Sequence, residues 1–168
     1  MTHFRDLAAA VVAVALVLGA LSLGTTLTMF RKRRRLTRAG EESQGRRVIA
    51  EIPAGDDLLL FSEDSHQFHY GKEAVDKDRI AAVRVLINGV PIAVYVSKRH
   101  AAGPVIQPTS FEDRPEGIAR DRWDVALERA DGTTLVECGA IRERISQELA
   151  RAIFDAVKRD LERRDSAA

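Results

Sequence analysis

Residues 79–97 read RIAAVRVLINGVPIAVYVS, and this stretch predicts an antiparallel β-hairpin. In Arg79–Ile87 apolar side chains recur with a period of two, which is the period of a strand with one buried face. Asn88-Gly89 indicates a two-residue turn, because both residue types tolerate the positive φ that this turn requires. The returning strand Val90–Ser97 alternates in the same way and carries these apolar residues on one face: Val90, Ile92, Val94 and Val96.

A second hairpin lies further along the chain. Arg122–Ala130 alternates like a strand, Asp131-Gly132 is typical of a tight turn, and Thr133–Cys138 returns. Three shorter β-type runs precede the first hairpin: Val48–Ile52, Asp57–Ser62 and Gln67–Tyr70. The sequence therefore predicts seven short strands, mostly antiparallel.

One amphipathic helix is predicted after the strands, over Ala140–Arg164. Its apolar residues step by four along one face: Ile141, Ile145, Leu149, Ile153, Val157 and Leu161. A helix with a single apolar stripe needs a surface to cover it, and the strands supply that surface. The predicted fold class is therefore α+β.

This order of elements resembles the pleckstrin-homology (PH) superfold, in particular bacterial membrane-anchored PH-like domains. The resemblance covers Arg47–Arg164 and rests on element order, on the two hairpins with Asn-Gly and Asp-Gly turns, and on the closing helix. It implies a seven-strand antiparallel PH-like barrel closed by the C-terminal helix. The alternative is a plain α+β sheet with a helix on one face. Phosphoinositide binding is not carried over, because Pro53–Asp57, at the first hairpin, is acidic where lipid-binding members of the family are basic.

The N-terminal part of the chain holds Leu7–Phe30, 24 residues without a formal charge. A helix of that length spans roughly 36 Å, enough to cross a hydrocarbon core of about 30 Å. A cleaved signal peptide and a buried core helix are the alternatives. The near-neutral start, the absence of an Ala-x-Ala cleavage site and the lack of a polar face favour a transmembrane helix instead.

A basic collar follows this segment and consists of Arg31, Lys32, Arg33, Arg34, Arg35 and Arg38. Because the side richer in Lys and Arg stays in the cytoplasm, the sequence predicts a single-pass protein of the inner (plasma) membrane. Its N-terminus would lie outside and its C-terminal domain in the cytoplasm. The collar acts either as a stop-transfer signal alone or also as a surface that attracts anionic lipid.

Two further segments are candidates for contacts with partners. Small residues spaced by four and seven form a possible helix-packing face in the membrane, either for self-association or for a second membrane protein: Ala9, Ala13, Ala20 and Gly24. The long proline-containing segment Lys98–Asp121 carries the apolar residues Val105, Ile106 and Phe111. This segment would bind a partner, pack back on its own domain, be disordered, or contain a missed strand near Pro104–Gln107.

The length of the chain after the collar, about 130 residues, suits one domain. The expected organisation is a tail and membrane helix over 1–30, a collar and linker over 31–46, an α+β domain over 47–164 and a tail over 165–168. Residues 39–168 contain 19 basic and 24 acidic residues, a net charge of −5. An acidic domain argues against nucleic-acid binding, which requires a basic surface.

No residue pattern predicts catalysis, a metal or a cofactor. His66 and His69 are three residues apart in a β-like context, where they would point to opposite faces. Cys138 is the single cysteine and is more typical of a small buried group than of a nucleophile. We therefore expect a non-catalytic accessory, scaffold or assembly subunit of a membrane protein complex. The alternative is a lipid- or ligand-sensing PH-like module at the membrane surface.

Overall fold

The structure is a computed structural model that describes residues 32–54, 57–99 and 122–167, together with Leu16. The chain divides into two compact units, residues 1–40 and residues 41–168. Helix α1 covers residues 32–43. The remaining elements all belong to the second unit and form its two sheets and its long helix.

Eight strands form two four-stranded antiparallel sheets. The first sheet has the order β1-β2-β3-β4 and consists of β1 (Arg47–Ala54), β2 (Asp57–Glu63), β3 (Gln67–Tyr70) and β4 (Glu73–Asp76). A 3₁₀ turn at Lys77–Arg79 leads into the second sheet. That sheet has the order β6-β5-β7-β8 and consists of β5 (Ile80–Ile87), β6 (Val90–Val96), β7 (Arg122–Arg129) and β8 (Gly132–Ala140). Helix α2 (Arg144–Ser166) ends the fold.

Both predicted hairpins are confirmed. In the first, Ile87 pairs with Val90, and the two turn residues have the expected positive φ, 52° at Asn88 and 80° at Gly89. In the second, Arg129 pairs with Gly132, and β7 and β8 remain paired along their length. In the first hairpin, turn chemistry that Asn and Gly satisfy cheaply therefore fixes the register. In the second, the turn residues are Ala130 and Asp131, one position earlier than predicted, and neither has a positive φ.

The hydrophobic core lies between α2 and the inner faces of the sheets. Phe61 and Phe68 stack with ring centroids 5.6 Å apart, and both are fully buried. Helix α2 contacts β1 in the first sheet and β5, β7 and β8 in the second. It buries part of its predicted stripe, with Ile153, Val157 and Leu161 inaccessible to solvent. Ile145, predicted on the same stripe, is 64% exposed while the next residue, Ser146, is 1% exposed. Steps of four residues drift around a helix that has 3.6 residues per turn, so the buried face at this end passes through Ser146 and Ala150 instead.

The predicted seven-strand PH-like barrel is wrong. The two sheets are not closed into a barrel, and their eight strands include β4, which the sequence did not indicate. Strand β4 is four residues long with Val75 as its one buried residue, so it has too few apolar positions to show a period of two. The second sheet also departs from simple chain order, since β5 lies between β6 and β7.

The predicted transmembrane helix is likewise not supported. Among residues 32–54, 57–99 and 122–167, no helix is long and apolar enough to cross a membrane. Both described helices carry charged side chains, and residues 32–40 of α1 are all exposed. Charged side chains are costly in hydrocarbon. The segment Leu7–Phe30 itself, Leu16 apart, lies outside the described residues. The predicted localisation to the inner membrane, with the domain in the cytoplasm, is not supported by the described helices.

A buried lysine at the 3₁₀ turn connects the first sheet to α2. The Lys77 ammonium, 7% exposed, donates to Glu63 Oε2 at 3.1 Å and to the Asp64 carbonyl at 2.6 Å. It also lies 4.7 Å from the centroid of the Phe68 ring and 3.9 Å from Asp160 of α2. One cation thus neutralises acidic groups from two parts of the fold, which leaves none of these three charged groups buried alone.

We predict that Lys77→Met lowers the free energy of unfolding by about 1–3 kcal/mol, because it removes a buried cation that the Glu63 and Asp160 carboxylates share. The loss is limited because Glu63 keeps its ion pair with Arg47, and Asp160 keeps those with Arg163 and Arg164. Chemical denaturation of the full chain measures this change. Lys72→Met, at an exposed turn position, is the control and should change stability by less than about 0.5 kcal/mol. Equal effects of the two substitutions would contradict a stabilising role for the buried ammonium.

Candidate functional site

The most distinctive surface of the domain is the free edge of the second sheet. The two sheets have four outer strands, β1, β4, β6 and β8. Three of them carry charged residues, which protect a sheet edge against unwanted pairing: Arg47 and Glu51 in β1, Glu73 and Asp76 in β4, and Glu137 in β8. Strand β6 carries no charged residue.

Strand β6 exposes β-branched side chains on one face. The exposed fractions are 47% for Val90, 53% for Ile92, 46% for Val94 and 37% for Val96. We call these four residues the apolar edge. Ala93 and Tyr95 point the other way and pack against the core. The alternation predicted from the sequence is therefore present, but the apolar face of β6 lies on the solvent side.

Backbone groups of β6 are also available. The Ser97 N–H donates to the Ala81 carbonyl at 2.8 Å, so the backbone groups of Ser97 face β5. Because hydrogen-bonding direction alternates along an antiparallel strand, the N–H and C=O groups of Val94 and Val96 face away from β5. Within the described part of the chain, no strand pairs with β6 on that side.

Helix α2 holds the end of β6 in place through Asp165. The Asp165 carboxylate accepts hydrogen bonds from Tyr95 Oη at 3.1 Å, Ser97 Oγ at 2.6 Å and the Lys98 N–H at 3.0 Å. Burial raises the pKa of Asp165, but these hydrogen bonds outweigh it and lower the pKa to about 2. The edge is thus presented on a strand that is fixed to the helix by an ionised carboxylate.

The rest of the outer face of this sheet is different in character. The register places Val94, Arg84, Ala126 and Leu135 side by side across the four strands. Arg84 forms an ion pair with Glu128, and both side chains are nearly buried. This neutralised ion pair therefore lies beside the apolar edge. Leu135, in β8 at the opposite side of the sheet, is 39% exposed.

Two open grooves are weaker candidates. The larger, about 560 Å³, lies between β1 and α2 and is lined by both signs of charge, including Arg47, Asp155, Lys158 and Glu162. The second, about 490 Å³, lies beside Lys77 and Glu63, which already bond to one another. The larger groove also has Val48, Ile49 and Ala152 in its lining, but neither groove presents a set of like charges that would select a ligand class.

The residues considered for chemistry are occupied by structural roles. Cys138 is 1% exposed, and burial raises the pKa of its thiol to about 12, so thiolate is scarce at neutral pH. His69 is buried, and its Nε2 lies 2.7 Å from Asp64 Oδ2. The hydrogen bond to His69 lowers the pKa of Asp64. Among the described residues, no group of three His, Cys, Asp or Glu side chains could hold a metal ion.

Most of the predicted contact residues lie outside the described residues. These are Arg31 of the collar, the helix-packing set Ala9, Ala13, Ala20 and Gly24, and the loop residues Val105, Ile106 and Phe111. The other collar residues, Lys32, Arg33, Arg34, Arg35 and Arg38, are exposed on α1, and lipid binding there stays a prediction. Sequence reasoning did not identify the β6 edge as a surface. The available signal was the absence of any charge from Val90–Val96.

Comparison with models of protein families, with curated proteins and with solved structures found no match to this chain. The geometry of the β6 edge therefore carries the functional inference.

Because Cys138 is buried and its pKa is high, we predict that a thiol reagent such as a disulfide dye leaves the folded full chain unlabelled near neutral pH and labels one thiol after denaturation. Absorbance of the released dye measures both states. Ile145→Cys is the positive control, since this exposed position should label at once in the folded chain. Rapid labelling of Cys138 in the folded wild type would contradict its burial.

The Asp165 carboxylate should make stability depend on pH in one direction. Its folded pKa is about 2, below the ordinary value of 3.8, so its contribution is present above about pH 5 and is lost as pH falls through 2. The stability difference between wild type and Asp165→Asn should therefore shrink on acidification. Denaturant titrations at a series of pH values test this. A difference that stays constant down to about pH 2 would show that the carboxylate charge is not involved.

Proposed function

We propose that this chain is a non-catalytic assembly subunit that joins a protein complex by pairing the β6 edge with an extended strand of a partner chain. The single observation that carries the proposal is an uncharged strand with exposed β-branched residues whose second backbone side pairs with no strand among residues 32–54, 57–99 and 122–167. Strand addition of this kind uses main-chain hydrogen bonds for affinity and alternate side chains for specificity.

The side chains of the apolar edge indicate the chemistry of the partner strand. Ile92, Val94 and Val96 share one face at alternate positions, and they would align with apolar residues at alternate positions of the added strand. Cross-strand pairs of β-branched residues contribute roughly 0.2–1 kcal/mol each relative to alanine pairs. A charged partner strand is disfavoured because β6 offers it no countercharge.

The anchoring of β6 supports the same role. Tyr95 and Ser97 are held by Asp165, and Ala93 and Tyr95 pack on the core, so the strand is already extended before a partner arrives. A preorganised strand avoids part of the ordering cost that otherwise opposes binding. The ligand-sensing alternative has no comparable support, since both grooves are lined by charges of each sign.

The proposal predicts that Val94→Lys lowers the mass of the assembly that contains this chain. A tagged full-length chain, isolated in its native complex from the cells that make it, is compared with the variant by analytical ultracentrifugation. Lysine at the edge should block pairing because strand addition would desolvate its charge, whereas Val94→Thr, which keeps the β-branched shape, should weaken the assembly less.

The matched control is Ile145→Lys, an equally drastic change at an exposed apolar residue near the other end of α2. It should leave the mass of the assembly unchanged. If Val94→Lys and Ile145→Lys both leave the assembly intact while the fold is preserved, the β6 edge is not the docking surface and the proposed function is overturned.

A further inference from the structure

The partner strand that best fits the β6 edge is another β6. We infer that two copies of this chain pair their β6 strands antiparallel about a two-fold axis at Val94, and join their second sheets into one eight-stranded sheet. This inference rests on the proposed function, which it makes specific by naming the partner. The supporting observations are the register of β6, the charges of Lys98 and Arg99, and the backbone groups of Val94 and Val96 that face away from β5.

The backbone geometry suits a two-fold axis at Val94. The N–H and C=O groups of Val94 face the free side, so two Val94 residues opposite each other would exchange both hydrogen bonds. The same register places Val96 of each copy opposite Ile92 of the other. Pro91 has no N–H to donate, and Ile92 is the residue that the pairing with β5 skips, so Ile92 lies at the irregular end of this stretch.

Side chains agree with this register. The apolar side chains at 92, 94 and 96 share one face, so the pairing would align Ile92 with Val96 and Val94 with Val94 in one continuous apolar stripe. A two-fold axis perpendicular to the sheet keeps the outer faces of both copies on the same side. The pairing would therefore cover the backbone edge of β6 and bring the apolar side chains of the two copies into contact across the new strand pair.

Charges next to β6 select the antiparallel direction. Lys98 and Arg99 follow the strand directly. In antiparallel pairing about Val94, Lys98 of one copy lies opposite Val90 of the other, so the basic pairs of the two copies separate to opposite ends. Parallel pairing would place the two basic pairs side by side, and like charges directly opposite are destabilising. The other three outer strands carry charges of their own, which makes β6 the outer strand most suited to pairing with itself.

Cysteine cross-linking of the full chain tests the register. Two opposed residues of a hydrogen-bonded pair have Cα atoms about 5.5 Å apart, within disulfide range. Val94→Cys should therefore form a disulfide-linked dimer under mild oxidation at low protein concentration. Ile92→Cys alone and Val96→Cys alone should not, because each would lie about 14 Å from its own copy. An equimolar mixture of Ile92→Cys and Val96→Cys should cross-link, since these positions face each other.

The wild-type chain and Ile145→Cys serve as controls and should remain uncross-linked, the former because Cys138 is buried. Far-ultraviolet circular dichroism confirms that each variant is folded. If Val94→Cys cross-links no faster than Ile145→Cys, or if Ile92→Cys dimerises alone as readily as in the mixture, the inferred pairing is overturned.

The two proposals fail separately. If cross-linking at position 94 is absent while Val94→Lys still reduces the mass of the native assembly, β6 binds a strand of a different protein, and only the second copy is excluded as the partner. If Val94→Lys changes neither the mass of the native assembly nor the cross-linking of Ile92→Cys with Val96→Cys, the β6 edge is not the docking surface.

Discussion

The pairing of β5 with both β6 and β7 is the constraint on which the rest of the structure depends. It places β6 at one edge of the second sheet and places β7 and β8 on the other side of β5. The strands β6 and β7 then run in the same direction on either side of β5. A strand that would be central in simple chain order becomes an edge, and its free backbone groups become a surface.

Burial and exposure follow from this arrangement. The inner face of β5 and β7 packs on α2, and Val83, Val125 and Leu127 are fully buried there. The outer face carries buried ion pairs such as Arg84–Glu128. Charged groups thus occupy the middle of the outer face in neutralised form, and β6 keeps its apolar residues in solvent. Monomeric proteins usually protect such an edge with charged residues. Because β6 has no charged residue, we propose that it pairs with a strand of a partner chain.

Local chemistry made several elements predictable. Asn88-Gly89 indicated the first hairpin because few other residues allow this turn, and Asp131-Gly132 indicated the second, whose turn lies one residue earlier at Ala130-Asp131. The four-residue spacing of Ile153, Val157 and Leu161 indicated α2. Strand β4 was missed since Glu73–Asp76 has one buried apolar residue. The barrel and the membrane helix were inferred from element order and from an apolar run. The sheets do not close, and no described helix can cross a membrane.

What the amino-acid sequence determined by itself is which segments form hairpins and helices, because turn conformation and side-chain periodicity are properties of neighbouring residues. The alternation of Val90–Val96 was visible in the same way. Whether that apolar face is buried or exposed was decided by tertiary structure alone, because it depends on which strand lies beside β5 and on where α2 packs. These are contacts between residues distant in the chain, such as Tyr95 with Asp165, and no local pattern encodes them.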